Sequence, residues 1–264
     1  MNYLVSSLSI GFMFVSLVLS VGLPIGLVVY FYLKEKISIK AVFIGALMFF
    51  LFQGILRVPI MTIISYMPWY QTFALNNMVL VVAIMAFTAG LFETVARYIG
   101  LKFILRKELQ RKNGFAYGIG HGGIEAILLV GISYGANILF SFLINSGAQV
   151  DSLIASQLIN TPSILFLAAG IERVFAILFH IAAALLVTYG IISKKKIYIL
   201  YSFVLHFLLD GVIGVLQIMG VSVLGIEIWI AFIGILSLVF IIKSKNMFSL
   251  LELTSISDGG DQDE

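Results

Sequence analysis

The chain has 264 residues, 61% of them hydrophobic and only 11% charged, with a formal net charge of +3 and a mean hydropathy of +1.11. A soluble domain carries about 25% charged residues, so this composition excludes one and predicts an all-α polytopic membrane protein whose first partner is the lipid bilayer. The positive charge gives no argument for nucleic acid, because the basic residues fall in loops that serve topology. With no cysteine in the chain, disulfides and thiolate chemistry are excluded as well.

Seven spans of about 20 apolar residues fit in this length, and no soluble domain of useful size fits beside them. The first run, Leu8 to Leu33, lacks the basic start of a cleavable signal and is read as a true span, followed by Lys34, Lys36 and Lys40. The second, Ala41 to Met67, is interrupted by Gln53, Arg57 and Pro59. The aromatic segment Met67-Pro68-Trp69-Tyr70 suits a membrane interface. A third span runs from Met78 to Leu101, and a strongly basic segment from Lys102 to Lys112 follows it. The fourth extends from Gly114 to Leu143. Beyond it, Asn145 to Pro162 reads as a polar loop whose only charge is Asp151. Ser163 to Ile192 forms the fifth, closed by Lys194-Lys195-Lys196; Ile197 to Met219 and Leu224 to Ile242 form the last two. Residues 1–245 make one transmembrane domain, and 246–264 a short cytosolic tail, acidic and disordered at its end.

Basic loops follow spans one, three, five and seven, and the intervening loops carry no lysine or arginine. The positive-inside rule then puts the N-terminus outside and the C-terminus in the cytosol. Several ionisable residues remain inside the spans: Arg57, Glu93, Arg97, His121, Glu125, Glu172, Arg173, His180, His206 and Asp210. Each such group costs at least about 2.5–3.5 kcal/mol at the bilayer centre, so the default reading of such residues is functional.

Spacing groups them. Glu93/Arg97, His121/Glu125 and His206/Asp210 are i,i+4 pairs, each on one helix face. Arg173 and His180, seven apart, also share a face. Measured from the basic loops at 1.5 Å per residue, Glu93, His121 and His206 lie about 14–15 Å deep and His180 about 21 Å. Glycines 118, 120, 122 and 123 surround His121 and leave room for a neighbouring helix to approach closely. Three histidines with nearby carboxylates suit two chemistries. His121, His180 and His206 with a carboxylate could hold zinc with an open position for water. Alternatively, a glutamate acts directly on water while the histidines orient it and stabilise the oxyanion. The spacing leaves both open, and either needs a water-filled cavity, expected to open toward the cytosol.

The segments Phe92-Glu93-Thr94-Val95-Ala96-Arg97-Tyr98, Gly120-His121-Gly122-Gly123-Ile124-Glu125, Glu172-Arg173 with His180, and His206-Phe207-Leu208-Leu209-Asp210 resemble the YhfC family of bacterial intramembrane metalloproteases. That family is distantly similar to type II CAAX prenyl endopeptidases and bacteriocin-processing enzymes, to PrsW proteases and to the multi-span scaffold subunit of gamma-secretase. The resemblance implies that Glu93 activates water, with Arg97 as its companion. It also implies that His121 and His206 bind metal or support the oxyanion, with Asp210 behind His206 and His180 as a further ligand. The paired glutamate of the wider group is absent, since Phe92 and Thr94 flank Glu93; Glu125 is therefore a second candidate base. The implied activity is hydrolysis of a peptide bond in a peptide or membrane-protein substrate, in the bacterial cell membrane, with Zn2+ as the candidate cofactor. A proton-coupled carrier or a catalytically silent scaffold is the alternative, and the sequence carries no signal of oligomeric state.

Overall fold

The computed structural model describes residues 4–259, with side chains up to Leu251. In chain order the helices are α1 (Ser7–Glu35), α2 (Ile39–Ser65), α3 (Pro68–Asn76), α4 (Met78–Ile104), α5 (Arg111–Asn145), α6 (Ser152–Asn160), α7 (Ser163–Ile192), α8 (Ile197–Ile218) and α9 (Val223–Gly259). All but α3 and α6 are long and apolar enough to cross a membrane, which gives the seven expected spans. The chain is therefore a multi-pass membrane protein built as an all-α bundle.

Two segments between the spans are helical. The aromatic stretch starts α3 with Pro68 in its first turn, where a missing N–H costs nothing. In the polar loop before the fifth span, Asp151 caps α6 by accepting from the backbone N–H groups of Leu153 and Ile154. At the other end of the chain, α9 continues past residue 245 to Gly259. The last residues of the acidic tail, 260–264, lie outside the described ones.

One helix is central. In α7, 72% of the most apolar stretch is buried inside the bundle, against 17–28% in the other six spans. The glycines of α5 let this pole and α2 close on it from two sides. A methyl group on Gly120 would sit 1.9 Å from the Val42 carbonyl oxygen, and one on Gly45 would sit 2.1 Å from that of Tyr117. A methyl on Gly118 would meet the Ile181 Cα at 2.5 Å. Small residues are what allow backbones to touch in a bilayer, where no hydrophobic drive pulls helices together. The same device joins α4 to α8: a methyl on Gly90 would lie 3.4 Å from the His206 Cβ, which fixes His206 beside the helix that carries Glu93.

Four helices carry π turns, at Val18–Gly22, Phe50–Arg57, Gly100–Ile104 and Ile127–Gly131. Such turns are rare and shift the side chains that follow them around the helix. The longest carries both Gln53 and Arg57.

Because the Gly120 contact is backbone against backbone, Gly120→Ala should destabilise the detergent-purified protein by about 2–3 kcal/mol, the usual scale of overpacking. Gly135→Ala, where nothing lies within 4 Å, should leave the melting temperature unchanged. Equal melting temperatures for the two variants would contradict the close approach of α2 and α5.

Candidate active site in the bundle centre

Four helices converge on one carboxylate oxygen. Glu93 Oε2 lies 2.9 Å from Arg97 Nη2, 3.1 Å from His121 Nε2, 3.6 Å from His180 Nδ1 and 3.6 Å from His206 Nδ1. Glu93 and Arg97 come from α4, His121 from α5, His180 from α7 and His206 from α8. All five are almost fully buried. The other oxygen, Oε1, accepts a 2.5 Å hydrogen bond from Gln53 Nε2. Gln53 in turn accepts from Arg57, which is anchored to Thr88 Oγ1 and the Met85 carbonyl. Glu93 is thus pinned on its Oε1 side and presents Oε2 to the imidazoles.

Two of the imidazoles have a carboxylate on their far side. His180 Nε2 lies 2.6 Å from Glu125 Oε2, and His206 Nε2 lies 3.4 Å from Asp210 Oδ2. A carboxylate at Nε2 favours the tautomer with its proton there, leaving the Nδ1 lone pair to point inward. Glu125 spends its second oxygen on Arg173 Nη1 at 3.1 Å, and Arg173 also pairs with Glu172. Arg173 and His180 therefore meet at Glu125, as their shared helix face implies. Two of the i,i+4 pairs are in contact, Glu93/Arg97 and His206/Asp210. In the third, His121 turns to Glu93 while Glu125 turns to α7.

A cavity of about 480 Å³ adjoins this cluster. Glu93, Glu125, His180, His206 and Asp210 line it, whereas Arg97 and His121 do not and back Glu93 from behind. Tyr117, four residues before His121, stacks on its ring and donates to the Ala96 carbonyl, which holds the imidazole in place. The cavity does not open toward the basic segments. From Glu93 and His206 the lining runs to Val81, Ile213 and Gln217, toward the end of the bundle away from the basic segments. Close packing of α2, α5 and α7 around the α5 glycines closes the other direction.

Metal-holding geometry can be assessed from the donors. Among the described residues, Glu93, His180 and His206 form a group whose ligand atoms all lie within 4.8 Å of one another; His121, proposed from sequence as a ligand, is not in it. Two neutral imidazoles and a carboxylate are a catalytic zinc set, and both rings carry the carboxylate partner that typically orients metal-ligating histidines. His206 Nδ1 is buried without a hydrogen-bond partner. Arg97 Nη2, 2.7 Å from His180 Nδ1, is the positive charge now nearest these donors. The residues fit a divalent cation.

Gln53, in sequence only an interruption of the second span, bonds the central carboxylate directly. Glu227 interrupts an apolar run at Ile226-Glu227-Ile228, and its Oε2 is buried without a partner.

With Glu93 buried, removal of its guanidinium partner leaves an uncompensated charge. Arg97→Met should cost about 3–5 kcal/mol of stability, while Lys40→Gln, at the exposed Lys40–Glu108 pair, should not move the melting temperature. An Arg97→Met protein that melts with the wild type would contradict an ionised pair at the centre.

A sequence profile of the family described as YhfC intramembrane metalloprotease matches residues 19–231. A Bacillus subtilis (strain 168) protein described as "Uncharacterized membrane protein YhfC" is 34% identical over 258 residues, spanning 93% of this chain and 100% of that one. No solved structure matches. The matched interval holds every residue of the Glu93 cluster and its surrounding carboxylates, and the chain belongs to the YhfC family.

Proposed function

We propose that the protein is an intramembrane protease of the bacterial cell membrane, hydrolysing a peptide bond of a membrane-associated or peptide substrate at the Glu93 cluster. The observation that carries this reading is the convergence of one arginine and three histidine nitrogens, from four helices, within 2.9–3.6 Å of Glu93 Oε2. A purely structural ion pair needs only Arg97. The family's description as a metalloprotease points the same way.

The residues divide the work by position. Glu93 Oε2 faces the cavity between His180 and His206, and it receives the proton of the attacking water. Arg97, His121 and Gln53 hold that carboxylate ionised and oriented. Glu125 and Asp210 keep His180 and His206 protonated at Nε2; the Nδ1 of His206, which has no hydrogen-bond partner, accepts from the water or donates its lone pair to a cation, and that of His180 does so once Arg97 Nη2, 2.7 Å away, turns from it. Alternatively, a zinc ion held by Glu93, His180 and His206 would supply a Lewis acid, lowering the pKa of water to about 7 and polarising the scissile carbonyl, and the base would then be Glu125, the other glutamate beside His180 on the cavity wall. At about 30 Å³ per molecule, the cavity has space for on the order of fifteen waters. Arg57, Glu172 and Asp210 along its wall make it wettable. Its direction favours cleavage in the half of the bilayer away from the basic loops, in place of the cytosolic half.

Labelling of protein N-termini in membranes from cells expressing the wild type, compared with Glu93→Gln at equal abundance, tests the reading. New N-termini within or beside apolar segments should appear with the wild type and fall by at least about a hundredfold with Glu93→Gln, the scale expected for losing a general base. Identical N-termini in both membranes would remove proteolysis at this site.

A further inference from the structure

A second cavity lies on the opposite side of Phe179 from the Glu93 cluster. It has about 450 Å³ and sits between α7, α8 and α9 in the basic half of the bundle. Its wall is nearly all apolar, with Ala182, Ala183 and Leu186 at the back and Tyr198, Tyr201 and Phe240 at the basic end. Phe179 and Ile233 line this groove and the polar cavity alike. The Phe179 ring packs edge-on against two site histidines, with centroids 5.6 Å from His180 and 5.2 Å from His206.

Size and chemistry select the occupant. Along α7 the groove covers Phe179 to Leu186, about 10 Å at 1.5 Å per residue. At about 10 Å the groove spans only a third of the roughly 30 Å of hydrocarbon thickness that a transmembrane helix would present to it, so most of such a helix would go unseated. An extended peptide is short enough to enter, but its backbone N–H and C=O groups would go unpaired against such a wall. A hydrocarbon chain meets both limits. At the basic end, Lys196 caps the helix whose Tyr198 and Tyr201 line the groove, and Lys243 follows Phe240 by three residues. Lys194, Lys195, Lys196 and Lys243 are exposed, and none is in an ion pair with another described residue.

We propose that the groove between α7, α8 and α9 is a binding site for an anionic phospholipid, one acyl chain lying against Ala183 and Leu186 with its tip at Phe179, its headgroup on Lys194, Lys195 and Lys196. Selectivity resides in the headgroup, because the chain is as well solvated in the surrounding bilayer as in the groove. Through Phe179 the lipid supports the rings of His180 and His206 from the side away from the polar cavity. The site stands whether or not the Glu93 cluster hydrolyses peptides.

Native mass spectrometry of the detergent-purified protein, given equal amounts of phosphatidylglycerol and phosphatidylcholine with the same acyl chains, reads the proposal directly. The wild type should retain one phosphatidylglycerol with a preference of about tenfold, a modest value for several lysines facing one anionic headgroup. The combined Lys194→Gln, Lys195→Gln and Lys196→Gln variant should lose the preference, and Ala183→Phe, which fills the groove, should lose retention of both lipids. Equal retention of the two lipids by the wild type would overturn the proposal, as would a preference undiminished in the lysine variant. The lysine variant alters exposed side chains only, so it decides the matter irrespective of how Ala183→Phe folds. A single-span peptide retained in place of lipid would also overturn it.

Discussion

A carboxylate almost completely removed from solvent in the middle of an apolar bundle has to be compensated by its neighbours, and Glu93 is compensated on every side. Arg97 supplies charge, Gln53 fixes one oxygen, and three imidazoles face the other. Without partners, a buried ion would neutralise or unfold its surroundings. Helices α2, α4, α5, α7 and α8 each bring a group to this one point, so the position of Glu93 ties together the central elements of the fold. Compensation beyond the single arginine that stability requires is what separates a site from a strut.

That convergence is possible only because the helices can touch. Polar groups on neighbouring helices reach 3 Å from one another when the backbones are close, and glycine is the residue that permits it. Gly45 and Gly120 bring α2 onto α5, Gly118 brings α7 onto α5, and Gly90 brings α8 onto α4. The glycine-rich face around His121 is thus part of the site, although none of those glycines contacts the cavity. The same tight packing seals the basic side and leaves space on the other, where the lining reaches Ile213 and Gln217.

Much of this was legible in the amino-acid sequence. Charges are expensive in lipid, so Glu93, His121, His180 and His206 stand out against apolar spans, and counting residues from the basic loops puts them at similar depth. Helical spacing correctly paired Glu93 with Arg97 and His206 with Asp210. It could not pair Glu125, because residues on one face of α5 still choose between two neighbouring helices, and Glu125 finds its partners on α7. Gln53 stands out as an interruption of the second span, but its partner does not: it lies on a π turn, and such a turn changes the face a side chain occupies without leaving a signature in the sequence. The direction of the cavity depends on how tightly each end of the bundle closes, and no single helix encodes that.

The site and the groove behind Phe179 set a polar cavity on one side of His180 and His206 and an apolar groove on the other, an arrangement suited to chemistry in a bilayer. Everything turns on Glu93, His180 and His206 acting as one set of donors, with His121 outside it. Zinc content of the purified protein, measured per chain across single variants, tests this most directly. The account predicts one zinc in the wild type and in His121→Ala, and loss of that zinc in His180→Ala and in His206→Ala. A wild type that binds none, or zinc that survives His206→Ala and disappears in His121→Ala, would contradict it.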